Sequence, residues 1–512
     1  VNRVESVVVL THRVSLFAAL VLIVTTVGKH DLPRLSTAIG VTSTIVATIG
    51  IGQYAGWYGL QIPSSGLPSA TLGYRNFAAA FVIASIPFVI AEILGRRGLS
   101  KSIWSVMLFL NGAFLLATRT RAAWAACFVS LLVGLAVYVW KARSGAGVHQ
   151  RPVEVLLPLT AALAASVVFS LAVPADMGGR GYDSSSREKS TLQSSVVSTF
   201  EQGADKDRFT MWGNTLEMIA HSPIQGVGIG NWQFLYPNFD RGKVSWKGAT
   251  PRRPHNDYLW ITAETGLPGL AVLAWFIALA LSTAIRAIRH TTPRSGFLLV
   301  LASIASLVAV AAHGVFSFPL ERISVTFLSV IAIAVLVVND PHSRMRKTGP
   351  VGRLLTWGFV CIGLLSGAIA WRAVTFDQLS FRQLVAVEQS DWPGAIRTGT
   401  EALAQGVFDP QVLLLRGLSH HMGGDYEAAI RDQKTCLSYH PYLVNAINNL
   451  GMSLNGAERF DEAQNILGQI ADLNPSHVEV HLNMAHAFTG QSKDDAAVRE
   501  LESAHEKAPN RT

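Results

Sequence analysis

The sequence predicts an all-α protein: a polytopic transmembrane helical bundle, interrupted by one large polar loop and followed by a soluble α-solenoid. Three observations predict it. Half of the 512 residues are hydrophobic and only 15% are charged, and the mean hydropathy is positive, which is too apolar for a water-soluble chain of this length. Apolar runs long enough to cross a bilayer recur as far as Trp371. Beyond that point the chain turns polar and rich in helix formers, and the same residue types return every 34 positions. A chain this long exceeds one ordinary domain, and the composition divides it into 1–372 and 373–512.

The expected spans are 7–28, 35–54, 76–94, 103–118, 122–140, 154–173, 267–288, 296–316, 322–338 and 352–372. Positive residues mark every second connection: Lys29 and Arg34; Arg96, Arg97 and Lys101; Lys141, Arg143 and Arg151; Arg286, Arg289 and Arg294; Arg344, Arg346, Lys347 and Arg353. The positive-inside rule makes these connections cytoplasmic. By parity, the polar segment 174–266 lies on the outer side, and the repeats, four spans later, lie there too. The same parity puts Val1 outside. An odd number of spans ahead of Val1 accounts for that, and an outside N-terminus on a short first span is the alternative. The net charge of +8 is met by these loops and by anionic membrane lipids, so no nucleic-acid partner is expected. Cys127, Cys361 and Cys436 are far apart and form no metal or redox motif.

After residue 392 the period is carried by Gly417, Gly451 and Ala485, by Ala429, Ala463 and Ala497, and by Pro441, Pro475 and Pro509. Tyr426 and Phe460 share a register, and Trp392 with Ala395 suggests a degenerate repeat before them. Small residues let paired helices approach, an aromatic fills the gap between repeats, and Pro ends the second helix. The pattern resembles the tetratricopeptide family. That resemblance implies a concave groove for a protein segment; a docked cap supporting the membrane part is the other reading.

Segment 174–266 holds enough polar residues to build a site against a membrane. It ends in Pro254-His255-Asn256-Asp257-Tyr258-Leu259, then Glu264-Thr265-Gly266-Leu267-Pro268-Gly269 leading into a span. Before His255 comes a basic stretch with Arg241, Lys243, Lys247, Arg252 and Arg253. Such a stretch suits a phosphorylated lipid, although anionic head groups would select the same composition. A lone loop histidine is ordinarily a solvated residue, and here the position at membrane re-entry argues for more.

These residues resemble the O-antigen ligase and polymerase superfamily of bacterial envelope glycosyltransferases. Its ligase motif is a His, then Asn, Ser or Gln, nine variable residues and a Gly-x-x-Gly turn, matched by His255, Asn256, Gly266 and Gly269. Asp207-Arg208-Phe209-Thr210-Met211-Trp212 looks like the family's loop arginine motif, and the stretch from His221 to Trp232 like the Pro- and Gly-rich one that follows it. Thr118-Arg119-Thr120-Arg121 looks like its span-end motif, with Thr120 in place of Ser, and Gly73-Tyr74-Arg75-Asn76 is similar to a further turn but lacks the Pro. The resemblance covers about residues 40 to 340. It implies a GT-C-like bundle in the bacterial inner membrane, with the large loop and the repeats in the periplasm. Members of the family carry more N-terminal spans than this sequence does.

The resemblance also implies a chemistry: a glycan leaves a polyprenyl diphosphate as an acceptor hydroxyl attacks its anomeric carbon. Arg208 and Arg121 would stabilise the departing diphosphate, and His255 would accept or orient the hydroxyl proton. Asn256, Arg119, Arg252, Arg253 and Asn76 complete the expected substrate contacts, with Asn256 also suited to positioning the loop. Arg121 has a ligand-free alternative as a snorkelling anchor. No metal and no cofactor are implied, so Asp205-Lys206-Asp207 reads as solvated carboxylates. Gly226-x-Gly228-x-Gly230 reads as a turn packed on the membrane face, since no strand-turn-helix unit surrounds it.

The function expected is transfer of a preassembled glycan from its lipid carrier to lipid A-core. A polymerase and a protein oligosaccharyltransferase are the rivals within the superfamily, the latter kept open because the repeats could recruit a polypeptide. A non-enzymatic scaffold leaves the spans and motifs without a purpose, and a transporter lacks a buried acidic pair in a span.

Overall fold

A computed structural model describes residues 3–56, 62, 68–143, 152–172, 206–244, 251–291, 294–343, 357–358, 361, 372, 374–406, 409–474 and 477–507. Helices α1 (Arg3–Thr26), α2 (Leu32–Tyr54), α3 (Arg75–Gly95), α4 (Gly98–Ala117), α5 (Arg121–Arg143) and α6 (Pro152–Ala172) precede the loop. Within the loop lie α7 (Lys206–His221) and α8 (Trp232–Asp240), and after it come α9 (Asp257–His290), α10 (Arg294–Gly314) and α11 (Ile323–Asn339). Six of these are long and apolar enough to cross a membrane, and Arg13–Thr26, Leu157–Ala172 and Ile323–Asn339 are shorter apolar helices. Each of the first nine expected spans thus falls on a helix, while the tenth, 352–372, lies almost wholly outside the described residues.

The bundle is built around α3. It is apolar on every face, almost all of it is buried, and it packs against α2, α4, α5, α10 and α11. A helix without a polar face has to be enclosed by others or by lipid. The second half of α9 is the opposite case, with Val272, Trp275, Phe276 and Leu281 exposed, as a lipid-facing surface would be.

Small residues set the close approach of α2 to α4. A Cβ added at Gly40 would stand 2.4 Å from the Trp104 ring, and one at Gly50 2.0 Å from the Phe114 ring. Between them, Ser43 donates to Asn111 Oδ1, and Asn111 Nδ2 donates to Thr44 Oγ1 at 3.1 Å. Small residues and polar side-chain bonds are the usual means of helix association in lipid. The pairs 40/104, 44/111 and 50/114 ascend together, so α2 and α4 run parallel, as alternate spans must. At one end of the bundle, Lys141 Nζ donates to the carbonyls of Ile288 and Arg289 at 2.8 and 3.0 Å, where the C-terminus of α9 is partially negative. There too Arg286 pairs with Asp340 at 2.8 Å, joining α9 to α11.

The C-terminal part consists of paired helices: α12 (374–388) with α13 (Trp392–Leu403), α14 (Pro410–Met422) with α15 (Tyr426–Tyr439), α16 (Val444–Gly456) with α17 (Phe460–Leu473), and α18 (Val478–Gly490) with α19 (Asp494–Lys507). The degenerate first repeat is therefore a genuine pair. Even the backbone keeps the period, since Ser390, Gly424, Glu458 and Ser492 all take positive φ at the turn inside each pair. Where paired helices cross, one partner is small. A Cβ at Gly417 would meet Gln433 and one at Gly451 would meet Leu467, whereas in the first pair the order is reversed and Gln383 fills the space left by Gly399. Tyr426 lies against Gly456 and Phe460 against Gly490, which is the gap-filling role expected of the aromatic. Pro441 follows the end of α15, while Pro475 and Pro509 lie outside the described residues.

The repeats touch the loop. The Phe234 ring of α8 meets the His440 ring edge-on at 4.8 Å, and Gly242 lies against Asn474. His440 is buried, and that burial pushes its imidazole down to about 4.

A leucine at Gly50 has no space beside Phe114. Gly50→Leu is expected to cost about 1–3 kcal/mol through overpacking, read as a lower unfolding temperature of the detergent-solubilised protein. Gly213→Ala in α7, where an added Cβ meets nothing within 4 Å among the described residues, is expected to leave that temperature unchanged or raise it.

Candidate functional site

The loop has a small core of its own. Met211, Asn214, Thr215 and Met218 form the buried face of α7, and Met211 and Met218 pack with Trp232, Tyr236, Trp260 and Ala263. Trp232 stacks on Tyr236 at 4.4 Å and donates from Nε1 to Thr215 Oγ1. Asp240 Oδ1 accepts from both Asn214 Nδ2 and the Tyr236 hydroxyl. Burial, with Asp240 beside it, holds that phenol well above its ordinary range.

This core is fastened to α9 by backbone contacts. Gly226 and Gly228 take positive φ, as does Gly266, which interrupts α9 with a non-helical kink. Val227 N donates to Ala263 O, Gly228 N to Glu264 O and Leu267 N to Pro223 O. The Glu264 carboxylate, 2% exposed, accepts from Trp232 N. A Cβ at Gly226 would stand 2.5 Å from the Glu264 backbone, and one at Gly266 2.2 Å from Ile224 O. Only glycine combines that conformation with that proximity. The expected glycine turn is therefore packed on the kink of α9, and the two motifs that frame it form one unit.

His255 precedes α9 with φ 55°, a conformation a non-glycine residue holds only where its surroundings require it. Asn256 fixes the next step by capping α9, its Oδ1 accepting from Tyr258 N and Leu259 N at 3.0 Å. Asp257, fully buried, accepts from Leu320 N at 3.1 Å and so ties α9 to the turn ahead of α11. Asp257 and Glu264 are thus buried acids in α9, and both hold backbone N–H groups.

Trp212 Nε1 donates to Pro254 O at 2.9 Å, so α7 touches the residue before His255. Arg208 stands one turn before Trp212 on the same face. Its charge reaches the imidazole, and burial together with that neighbouring guanidinium pushes His255 down to about 4. The His255 ring meets Phe318 at 5.1 Å, and Phe318 meets Phe77 at 5.8 Å. Asn76, beside Phe77, accepts from Thr120 Oγ1 at 3.0 Å. The turn carrying Arg121 is joined in this way to the start of α3. His313, buried on α10, lies beside the Ala122 backbone and within the influence of Arg208.

The remaining expected residues divide. Arg119 takes positive φ in the turn from α4 to α5 and donates to the Tyr54 hydroxyl at 2.8 Å and to Ser170 Oγ at 3.1 Å, which directs it to α2 and α6. Arg253 is buried, paired with both oxygens of Glu321 at 3.0 and 3.2 Å, and lies 4.7 Å over the Trp260 ring. Arg252 is exposed. Arg322 escaped the sequence reading because it coincides with a span boundary. A cation on a connection that parity assigns to the outer side was the available signal.

Residues 106–274 match the O-antigen ligase family model. Two tetratricopeptide repeat models match residues 384–433 and 454–512. The resemblance drawn from the motifs and the 34-residue period is borne out on both parts of the chain. The first match contains Arg119, Arg121, Arg208, Arg252, Arg253, His255 and Asn256, and ends short of Phe318 and Arg322. It supports a multi-pass membrane glycosyltransferase of the O-antigen ligase and polymerase type. No curated protein matches the chain.

Glu264→Ala removes the acceptor for Trp232 N and leaves that buried donor unpaired. The expected cost is about 1–3 kcal/mol, seen as faster proteolysis between α7 and α9 in the otherwise folded protein.

Proposed function

We propose that the chain is an inner-membrane glycan ligase, moving a preassembled glycan from a polyprenyl diphosphate to lipid A-core, with the loop and the repeats in the periplasm. The observation that carries this reading is the contact of α7, the helix of Arg208, with the residue before His255 through Trp212 Nε1 and Pro254 O at 2.9 Å, inside the segment that matches O-antigen ligase. The acceptor oxygen forms a bond to the anomeric carbon as the bond from that carbon to the diphosphate oxygen breaks, its electron pair leaving with the diphosphate. The hydroxyl proton passes to His255 and then to solvent. Arg208 and Arg121 meet the negative charge that develops on the leaving group. Both stand in the first turn of a helix, where backbone N–H groups also favour an anion. Arg252, exposed and three residues before His255, suits an approaching phosphate or sugar.

A neutral imidazole is required for proton transfer, and burial keeps His255 neutral at pH 7. An imidazole at about 4 is a weak base in the free protein. A bound diphosphate counters the Arg208 charge and raises the basicity where it is needed.

A protein acceptor is the second reading, favoured by the contact of the repeats with the loop helix through Phe234 and His440. A polymerase would use the same donor chemistry.

In a strain lacking its own ligase, the wild-type protein is expected to restore transfer, while His255→Ala and Arg208→Ala each lower it at least 100-fold at equal abundance. Wild type and His255→Ala behaving alike would end the role of His255. Analysis of the product separates lipid A-core from longer lipid-linked chains and from a glycosylated protein. With purified protein, kcat/KM is expected to fall as pH drops through about 4, because protonation removes the base. The acid limb of kcat should lie at higher pH, since the bound anion favours the protonated form.

A further inference from the structure

We propose that Arg322 is a donor-binding residue whose guanidinium, laid on the Phe77 ring beside His255, takes the diphosphate of the lipid-linked donor. This rests on the ligase reading of the site and adds a residue outside the segment that matches the family.

The guanidinium carbon lies 3.5 Å from the centroid of Phe77 and 5.4 Å from that of Phe318. Phe318 also faces the His255 imidazole at 5.1 Å, so one ring separates the cation from the proposed base. Two phenyl faces orient the guanidinium without neutralising it.

Glu321 is shared. Both of its oxygens accept from Arg253, and Arg322 meets Oε1 at 3.6 Å, an ion pair without a hydrogen bond, so one carboxylate faces two guanidinium groups. Among the described residues, Arg322 Nε is buried and has no hydrogen-bond partner. Arg252 and Arg253 lie close enough for their charges to oppose that of Arg322. Three cations gathered around the single carboxylate of Glu321 leave an excess of positive charge that a further anion would offset.

A purely structural role fits poorly. Arg322 is the N-cap of α11, where the helix dipole disfavours a positive side chain. An anion bound there would gain from both the guanidinium and the exposed N–H groups of the first turn. The side chain is 32% exposed, so its remaining nitrogens stay reachable. Arginine suits the place better than lysine, because a planar guanidinium both stacks on a ring and presents two donors to phosphate oxygens.

The test uses the full chain in detergent, with farnesyl diphosphate as the probe and farnesol as its uncharged counterpart. Wild type is expected to bind the diphosphate at least tenfold more tightly than the alcohol, and Arg208→Ala to weaken it. If wild type does not distinguish the two, the donor reading of the whole site fails, and Arg322 with it. If wild type and Arg208→Ala behave as expected, Arg322→Ala is expected to raise the Kd tenfold, with Arg322→Lys intermediate. Binding of farnesol should not change. A rise of less than threefold in folded Arg322→Ala overturns the role of Arg322 alone, and a larger one supports it. Should Arg322→Ala not fold, Arg322→Gln, which keeps length and hydrogen bonding but no charge, is judged by the same threshold. In transfer assays the defect should appear in the KM for the lipid-linked glycan, with kcat changed less than in His255→Ala.

Discussion

The close approach of two backbones at Gly226 and Gly266 is the constraint on which the site depends. It interrupts α9, and the carbonyls and N–H groups freed by the interruption are satisfied by the loop instead of by water. Through it α7 and α8 are held against the start of α9, and α7 carries Arg208. A side chain at either glycine would separate the loop from the helix. His255 would then keep its place ahead of α9 and lose the arginine that faces it. The glycines belong to the site by geometry, without touching a substrate.

A second constraint concerns charge. Arg75, Arg121, Arg208 and Arg322 each stand in the first turn or at the cap of a helix, the position at which a helix least favours a cation. For Arg121 and Arg322 the connection is also one that parity assigns to the outer side, against the ordinary bias of lysine and arginine. Neither helix stability nor membrane topology favours such placement, and this is the ground for the anionic ligand proposed above. The aromatic residues have a complementary part. Phe77 and Phe318 hold Arg322 near the imidazole, and Trp260 with Glu321 occupies Arg253, so two arginines that share one carboxylate have different surroundings.

The spans and the repeats were legible because each rests on periodicity along the chain. Apolar runs of sufficient length marked nine helices, and the 34-residue spacing marked the paired helices, including the degenerate pair whose second helix begins at Trp392. The reversed packing of Gln383 on Gly399 was not legible, since it exchanges large and small between two helices and leaves the period intact. At the site, motif spacing pointed to His255 and Arg208. It assigned Arg121 to the leaving group and Arg119 to a substrate contact, but the direction in which the turn aims Arg119, toward Tyr54 and Ser170, is not written in local spacing. The capping role of Asn256 follows from an amide placed just before a helix. The stacking of Arg322 depends on Phe77, 245 positions earlier, and no local pattern records a contact of that kind.

The junction of Phe234 with His440 bears on how the two parts work together. Helix α8 begins at Trp232, whose backbone N–H is held by Glu264 of α9, so the solenoid is moored to the loop that carries the candidate site. A polypeptide gripped by the repeats would search a volume of molecular dimensions around the imidazole instead of the whole compartment. Short tethers of this kind give local concentrations on the order of millimolar, enough for a weakly recognised acceptor to be used.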